Sequence, residues 1–458
     1  MLKAFLTDCR KVSRERGHAQ LVNISLPVRH IEPLAVLHSI FEPGERHFYL
    51  ERPNAEEALA GAEAVVEEGF RGPDRFGEAK RFAAKTLENT IAFGRIDGPL
   101  MGPQFLCGFT FSEVEPERPI FESGAVFIPR WQVSRKAGHY AAVANLVVDE
   151  TSDLDLLADK VWGAHEKFSA FDYDQFAARP PGGRQLLRTE EAGGADGFER
   201  SVRRALGDIG SGRYRKVVLA RALDLEMNQP YEPLVYLNRL REEFSGCYAF
   251  SFANGRGQSF IGVTPERLVR LRAGRMRTMA LAGTVSRGTT AAEDARLGRR
   301  LLESRKDLHE HEVVIEAIRR RLTEVGLQAQ AEGPPSLMRL SNVQHLLTPI
   351  EAATGDRHIL DLVDCLHPTP AVGGSPREVT TSIIDELEPF DRGLYAGALG
   401  YFNREGEGEF VVAIRSALID GKRARLYAGS GIVEGSDPGM EKEETDLKLR
   451  AMLPSLSA

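Results

Sequence analysis

Residues 427–448 read YAGSGIVEGSDPGMEKEETDLK. A short strand, 425–428, leads into this stretch. Residues 428–438 then form a glycine-rich turn from strand to loop, where backbone can come close to a ligand because no Cβ intervenes. A closing helix follows from about residue 440 to 453. On it Glu441, Glu444 and Lys448 fall at spacings of three and four and share one face. Two carboxylates there, joined by a third from another helix, suit Mg²⁺, and a hard cation beside Lys448 suits a substrate bearing carboxylates. A solvated helix face with an i,i+4 ion pair gives the same spacing and is its commoner cause.

Strands and helices continue to mix on the way outward from this stretch. Strand-like runs at 47–50, 104–111, 124–128 and 141–148 are separated by turn residues, which predicts antiparallel pairing. Residues 54–68 are weakly periodic and read as a helix. Residues 179–197, rich in glycine and proline, read as a loop. They separate an N-terminal half, 1–190, from a second region, 198–455. In that region 216–225 (KVVLARALDL), 247–253, 259–263 and 410–419 read as strands. Residues 233–244 read as a helix with Leu237, Leu240 and Phe244 on one stripe. The longest helical pattern is 290–325, where Leu308, His311, Ile315, Ile318 and Leu322 build a buried face. Strands joined by short turns, with occasional helices, predict a large α+β fold rather than βαβ winding.

Composition narrows the class. The chain has 458 residues, a length that by itself suggests about three domains. With 42% hydrophobic and 27% charged residues it is neither disordered nor fibrous. No run approaches the ~18 apolar residues of a membrane helix, and only a short apolar patch precedes Asp8, so no secretory signal is expected. A net charge of −7 argues against nonspecific nucleic-acid binding and against anionic membranes. It leaves room for a small anionic substrate at a local basic cluster. Cys9, Cys107, Cys247 and Cys365 are far apart and form no CxxC pair, which predicts reduced thiols in a cytoplasmic protein.

Several familiar motifs fail. Gly429, Gly431 and Gly435 are spaced one residue too long for a dinucleotide GxGxxG. His309, Glu310 and His311 are adjacent, so on a helix they point about 100° apart and cannot converge on one ion. HEVVI from His311 lacks the second histidine of HExxH, and His311 reads as a packed core histidine. There is no phosphate loop and no GxSxG elbow.

A series of blocks carries more: YRKVVLAR (214–221), FIGVTPERL (260–268), ALAGT (280–284), KDLHEHEVV (306–314), NVQHL (342–346), LHPTPAVGG (366–374), GLYAGALGYF (393–402), VVAIRSALI (411–419) and the opening stretch. In this order they resemble the chorismate-utilising enzymes, and within them the isochorismate synthases of the menaquinone-pathway type. The resemblance covers roughly 198–453. HFYLERP (47–53) resembles a short segment of the same type, with Leu50 where tryptophan is common. The resemblance implies one large α/β unit, in which antiparallel sheets pack together with helices outside and the active site lies in the cleft between two halves. It also implies an Mg²⁺-dependent conversion of chorismate to isochorismate, in which water adds at C2 and the C4 hydroxyl leaves.

The resemblance assigns the base to Lys216 and the acid to Glu266. A lysine serves as base only where its surroundings favour the neutral amine, and a glutamic acid donates only where they hold its proton on. Glu310 and Glu444 are implied as direct Mg²⁺ ligands, with Glu441 close by. Arg415, in a strand flanked by apolar residues, and Lys448 are implied binders of substrate carboxylates; a buried arginine needs an anionic partner. Backbone amides around Gly429 and Gly431, with Thr284, complete the cradle. His345 is implied near the leaving hydroxyl and the enolpyruvyl side.

Four products compete within the resemblance. Lysine at 216 favours water over ammonia as nucleophile, so no glutaminase subunit is expected. Ala371 stands where salicylate and anthranilate synthases tend to carry threonine, which favours stopping at isochorismate. The alternatives are a salicylate synthase, a siderophore-pathway isochorismate synthase and a non-catalytic chorismate-binding protein. A monomer or weak homodimer is expected.

Overall fold

The computed structural model describes residues 1–169 and 183–457. Strands dominate. The first part holds β1 (Gln20–Val28), β2 (Arg46–Arg52), β3 (Glu57–Phe70), β4 (Thr90–Gly94), β5 (Phe105–Phe109), β6 (Gly124–Lys136), β7 (His139–Val148) and β8 (Leu186–Glu191). The rest holds β9 (Lys216–Met227), β10 (Tyr248–Asn254), β11 (Gln258–Thr264), β12 (Arg267–Arg272), β13 (Arg275–Ser286), β14 (Gln330–Ala331), β15 (Ser336–Arg339), β16 (Val343–Ala353), β17 (Gly374–Ser375), β18 (Ala398–Phe402), β19 (Gly408–Val412), β20 (Ser416–Asp420) and β21 (Arg423–Val433). The helices are α1 (Leu2–Arg16), α2 (Pro33–Ile40), α3 (Arg75–Glu88), α4 (Leu154–Ser169), α5 (Gly197–Gly210), α6 (Pro233–Glu243), α7 (Ala291–Glu303), α8 (Arg305–Glu324), α9 (Ile359–Leu366), α10 (Arg377–Leu387) and α11 (Pro438–Ser457).

Two arms of sheet grow from the β3–β6 pair. One runs through β2, β10, β11, β20 and β21 to β9. The other runs through β5, β18, β19, β12 and β13 to β16. All of these pairings are antiparallel. Strands from the first 190 residues pair directly with later ones, β2 with β10 and β5 with β18.

Alternation along the strands puts the core between the arms. Phe250, Phe252 and Phe260 of the first arm pack in one cluster with Phe105, Phe109, Phe402 and Phe410 of the second. The opposite face of the first arm, with Ala249, Ile261, Val263 and Leu426, is covered by Leu234, Leu237 and Leu240 of α6 and by Leu449 and Met452 of α11. This confirms antiparallel sheets packed together with helices outside.

Several local expectations are corrected. Residues 54–68 are not a helix but a short 3₁₀ turn, Pro53–Ala55, followed by β3. The alanine-rich run EALAGAEAVVEEGF favours helix locally, but its position between β2 and β6 makes small side chains the ones that fit. A Cβ at Gly61 would meet Leu106 Cδ1 at 2.6 Å. Within 179–197, residues 179–182 lie outside the described residues, and 186–191 form the strand β8 on β9. It is exposed along almost its whole length, so it has no alternation to read. The pattern over 290–325 is two helices: Ser304 is extended (φ −72°, ψ 114°) and its hydroxyl caps α8 by accepting from Asp307 N. The strand expected over 410–419 breaks between β19 and β20, and Arg415 sits in that break at φ 49° rather than in a strand. The glycine-rich stretch after 428 stays extended as β21 to Val433.

Candidate active site

At two adjacent places a strand of one arm runs straight on into a strand of the other. Between β11 and β12 the chain crosses at Pro265–Glu266, and between β19 and β20 at Ala413–Arg415. The crossings are stitched together by Val412 N donating to Glu266 O (3.0 Å) and Val263 N donating to Arg415 O (3.1 Å). Where strands leave the ladder their side chains are freed from cross-strand packing, and both Glu266 and Arg415 line the cavity between the arms.

Glu266 is buried, and its carboxyl is pushed up from an ordinary 4.5 to about 7 by burial, against the pull of Lys216. The Thr369 hydroxyl donates to its Oε1 (3.4 Å). Arg415 is also buried, and among the described residues no carboxylate pairs with it. Its Nη1 has no hydrogen-bond partner among the described residues, and its Nη2 donates to His345 Nε2 (2.7 Å). Arginine cannot accept, so the His345 proton lies on Nδ1, shared between Gly283 O and Thr284 Oγ1 (both 3.2 Å). Burial and the nearby charges of Arg415 and Lys448 push His345 well below its ordinary range, so it stays neutral. The arrangement depends on a β-bulge. Gly283, at φ 72°, is the extra residue that lets Thr284 pair with His345 after Ala282 has paired with Leu346.

Three lysine–glutamate pairs build the other wall, and all of their members except Lys216 line the cavity. Lys216, 1% exposed at the start of β9, meets Glu310 of α8 (2.8 Å). Lys448 meets Glu444 (2.7 Å), and Lys306 meets Glu441 (3.2 Å). Although burial opposes it, Lys216 holds the Glu310 carboxylate below its ordinary range. Gly431 makes room for the first pair, since a Cβ there would meet Glu310 Oε1 at 2.6 Å. Among the described residues no three carboxylate, imidazole or thiol groups converge tightly enough to cage a metal alone. Hard oxygens from two helices nevertheless suit Mg²⁺, which takes one or two carboxylates and keeps several waters.

The register of β9 and β21 exposes backbone donors. Val218 N donates to Gly373 O (2.8 Å) and Ala220 N to Glu388 Oε1 (2.7 Å), both away from β21. Their cross-strand partners Gly431 and Gly429 therefore occupy non-hydrogen-bonded positions and turn their own N–H and C=O groups to the far edge of β21. β20 covers that edge only over 423–426. Beyond it the two glycines line the cavity, and Gly429 O accepts from Lys448 Nζ (2.7 Å).

The cavity thus brings together Glu266, Thr284, Glu310, His345, Ala371, Arg415, Gly429, Gly431, Glu441, Glu444 and Lys448. Lys216 lies just behind this wall, reached through its bond to Glu310. Reading the sequence missed Tyr395, Lys306 and Thr369, although all three stand inside the quoted blocks. Nothing in their spacing set them apart. His311 is a core histidine, as expected, bonded through Nε2 to Thr348 Oγ1 (2.8 Å).

A family model described as "Chorismate binding enzyme" matches residues 4–457, and the chain belongs to this family. It is 31% identical over 459 residues to the isochorismate synthase MenF of Bacillus subtilis (strain 168), covering 97% of this chain and 95% of that one. It is 36% identical over 444 residues to the salicylate biosynthesis isochorismate synthase of Pseudomonas aeruginosa, covering 96% and 90%. Among solved structures, MenF, the menaquinone-specific isochorismate synthase from Escherichia coli, matches with a TM-score of 0.77 at 29% identity, over 98% of this chain and 99% of that one. Anthranilate synthase component I from Streptococcus pneumoniae shares the fold, with a TM-score of 0.72 at 20% identity over 87% and 92%.

Proposed function

We propose that this protein is an isochorismate synthase, an isomerase that adds water at C2 of chorismate and expels the C4 hydroxyl. The observation that carries the reading is Glu266, a buried carboxyl whose proton is held near neutrality in a cavity that a lysine backs. Lys216 acts as the neutral amine, freed of its proton to Glu310 or solvent, and takes a proton from the attacking water, while protonated Glu266 gives one to the departing hydroxyl. General acid–base catalysis of this kind supplies roughly 10²–10⁴ in rate.

Arg415, whose Nη1 is unsatisfied, and the Gly429 and Gly431 amides bind the substrate carboxylates, with Lys448 alongside. His345 accepts from Arg415 and so aims the guanidinium. Thr284 fixes the His345 ring. Glu310 and Glu444, with Glu441, would hold Mg²⁺, which when bound neutralises the ring carboxylate. The methyl of Ala371 places no hydroxyl on its wall, which supports release of isochorismate rather than onward elimination of pyruvate.

Purified protein given chorismate and Mg²⁺ is expected to form isochorismate without pyruvate, to stop when the metal is chelated and to resume when Mg²⁺ is restored. Salicylate and pyruvate as main products would favour a salicylate synthase. Chorismate binding without turnover would favour a non-catalytic binder. Replacing Arg415 by leucine removes a buried charge facing a substrate carboxylate, an effect of about 2 kcal/mol or more. The chorismate KM should rise by about 30-fold or more, measured by steady-state kinetics, and an unchanged KM would remove Arg415 from the binding role.

The menaquinone route is our reading of the pathway, supported by the two MenF matches; the P. aeruginosa relative serves salicylate instead. Neighbouring genes would decide between them. We also take the enzyme to be cytoplasmic, a monomer or weak homodimer, and independent of a glutaminase subunit. Among the described residues no helix is long and apolar enough to cross a membrane.

A further inference from the structure

An acid–base pair works only if its members stay at a fixed separation, and one buried ion pair touches the supports of both. Glu388 follows α10, and Arg392 lies four residues on; their side chains are 2% and 3% exposed. Arg392 donates from Nε to Glu388 Oε2 (2.8 Å) and from Nη2 to Oε1 (2.5 Å). The guanidinium also donates from Nη2 to Val218 O (2.8 Å) and from Nη1 to Val372 O (2.9 Å). Glu388 Oε1 accepts from Ala220 N (2.7 Å). The pair therefore grips β9 two and four residues beyond Lys216, and grips the 366–374 loop at the residue after Ala371. That loop carries Thr369, which donates to Glu266. The same guanidinium thus fixes the strand of the base and the loop that contacts the acid.

A buried ion pair contributes little net stability compared with apolar residues of similar volume. What this one provides is direction. A planar guanidinium aims its donors along several fixed lines at once, which a lysine ammonium cannot reproduce. We propose that Glu388 and Arg392 are positioning residues that set the spacing of Lys216 and Glu266, and so act on kcat rather than on chorismate binding. The inference rests on the acid–base reading of those two residues.

Two variants test it: Arg392→Lys, which keeps the charge without the fork, and the double variant Glu388→Gln/Arg392→Met, which leaves no charge buried alone. Each is expected to lower kcat about 30-fold or more while the chorismate KM stays within about threefold. The double variant should keep its melting temperature within a few degrees. A double variant that melts like wild type with near-wild-type kcat would overturn the proposal, as would a loss confined to KM. Should the double variant fail to fold, Arg392→Lys decides on the same split. Lys216→Ala is measured alongside. If it stays active, the acid–base reading itself has failed. If it is inactive while the positioning variants turn over normally, only the positioning role has failed.

Discussion

Lys216→Ala should lower turnover by about 10³-fold, within the range for loss of a general base, while chorismate still binds. Lys216 sits at the first position of β9, 1% exposed, and among the described residues it pairs with Glu310 alone. The groups proposed to bind carboxylates, Arg415, Lys448 and the Gly429 and Gly431 amides, belong to other elements and do not hydrogen-bond to Lys216. Losing the amine therefore removes chemistry and leaves the anion-binding wall standing. Steady-state kinetics and calorimetric titration with chorismate separate the two effects. Near-wild-type turnover would remove Lys216 as the base.

Glu266→Gln should have the second large effect, and it should run in opposite directions for activity and stability. Turnover should fall by about 10²-fold or more, because an amide cannot protonate a leaving hydroxyl. Stability should rise at alkaline pH. The folded value of Glu266, about 7, lies above its ordinary 4.5. Folding therefore favours the protonated form, and the stability associated with it is complete below about pH 4.5 and lost as pH rises through about 7. Above that, the folded protein buries an ionised carboxylate at a cost of about 3 kcal/mol. Glutamine carries no such cost. The melting-temperature difference between variant and wild type should be small at pH 4.5, grow toward pH 7 and level off by pH 8. A flat difference across that range would contradict a raised Glu266. The same titration places an alkaline limb near pH 7 in wild-type kcat/KM, since the acid must be protonated to act.

Much of this site is legible in the sequence. The ordered blocks marked the residues that now line one cavity, and the period of α11 put Glu441, Glu444 and Lys448 on one face. Other features were hidden for identifiable reasons. Arg415 reads as mid-strand because apolar neighbours flank it, yet its position depends on a crossing between sheet arms that only long-range pairing creates. β3 reads as helix because alanine and glutamate dominate it, and the strands on either side override that preference. Glu388 and Arg392 stand four residues apart, a spacing that predicts no contact once the helix has ended at Leu387. Their role appears only once β9 and the 366–374 loop are seen to meet at the same guanidinium.

The most direct test of the central claim is turnover of chorismate in ¹⁸O-labelled water with Mg²⁺ present. Water addition at C2 with loss of the C4 hydroxyl predicts isochorismate carrying one ¹⁸O per molecule and no accompanying pyruvate. Unlabelled isochorismate would contradict a water nucleophile activated by Lys216, and salicylate with pyruvate would contradict the assigned product.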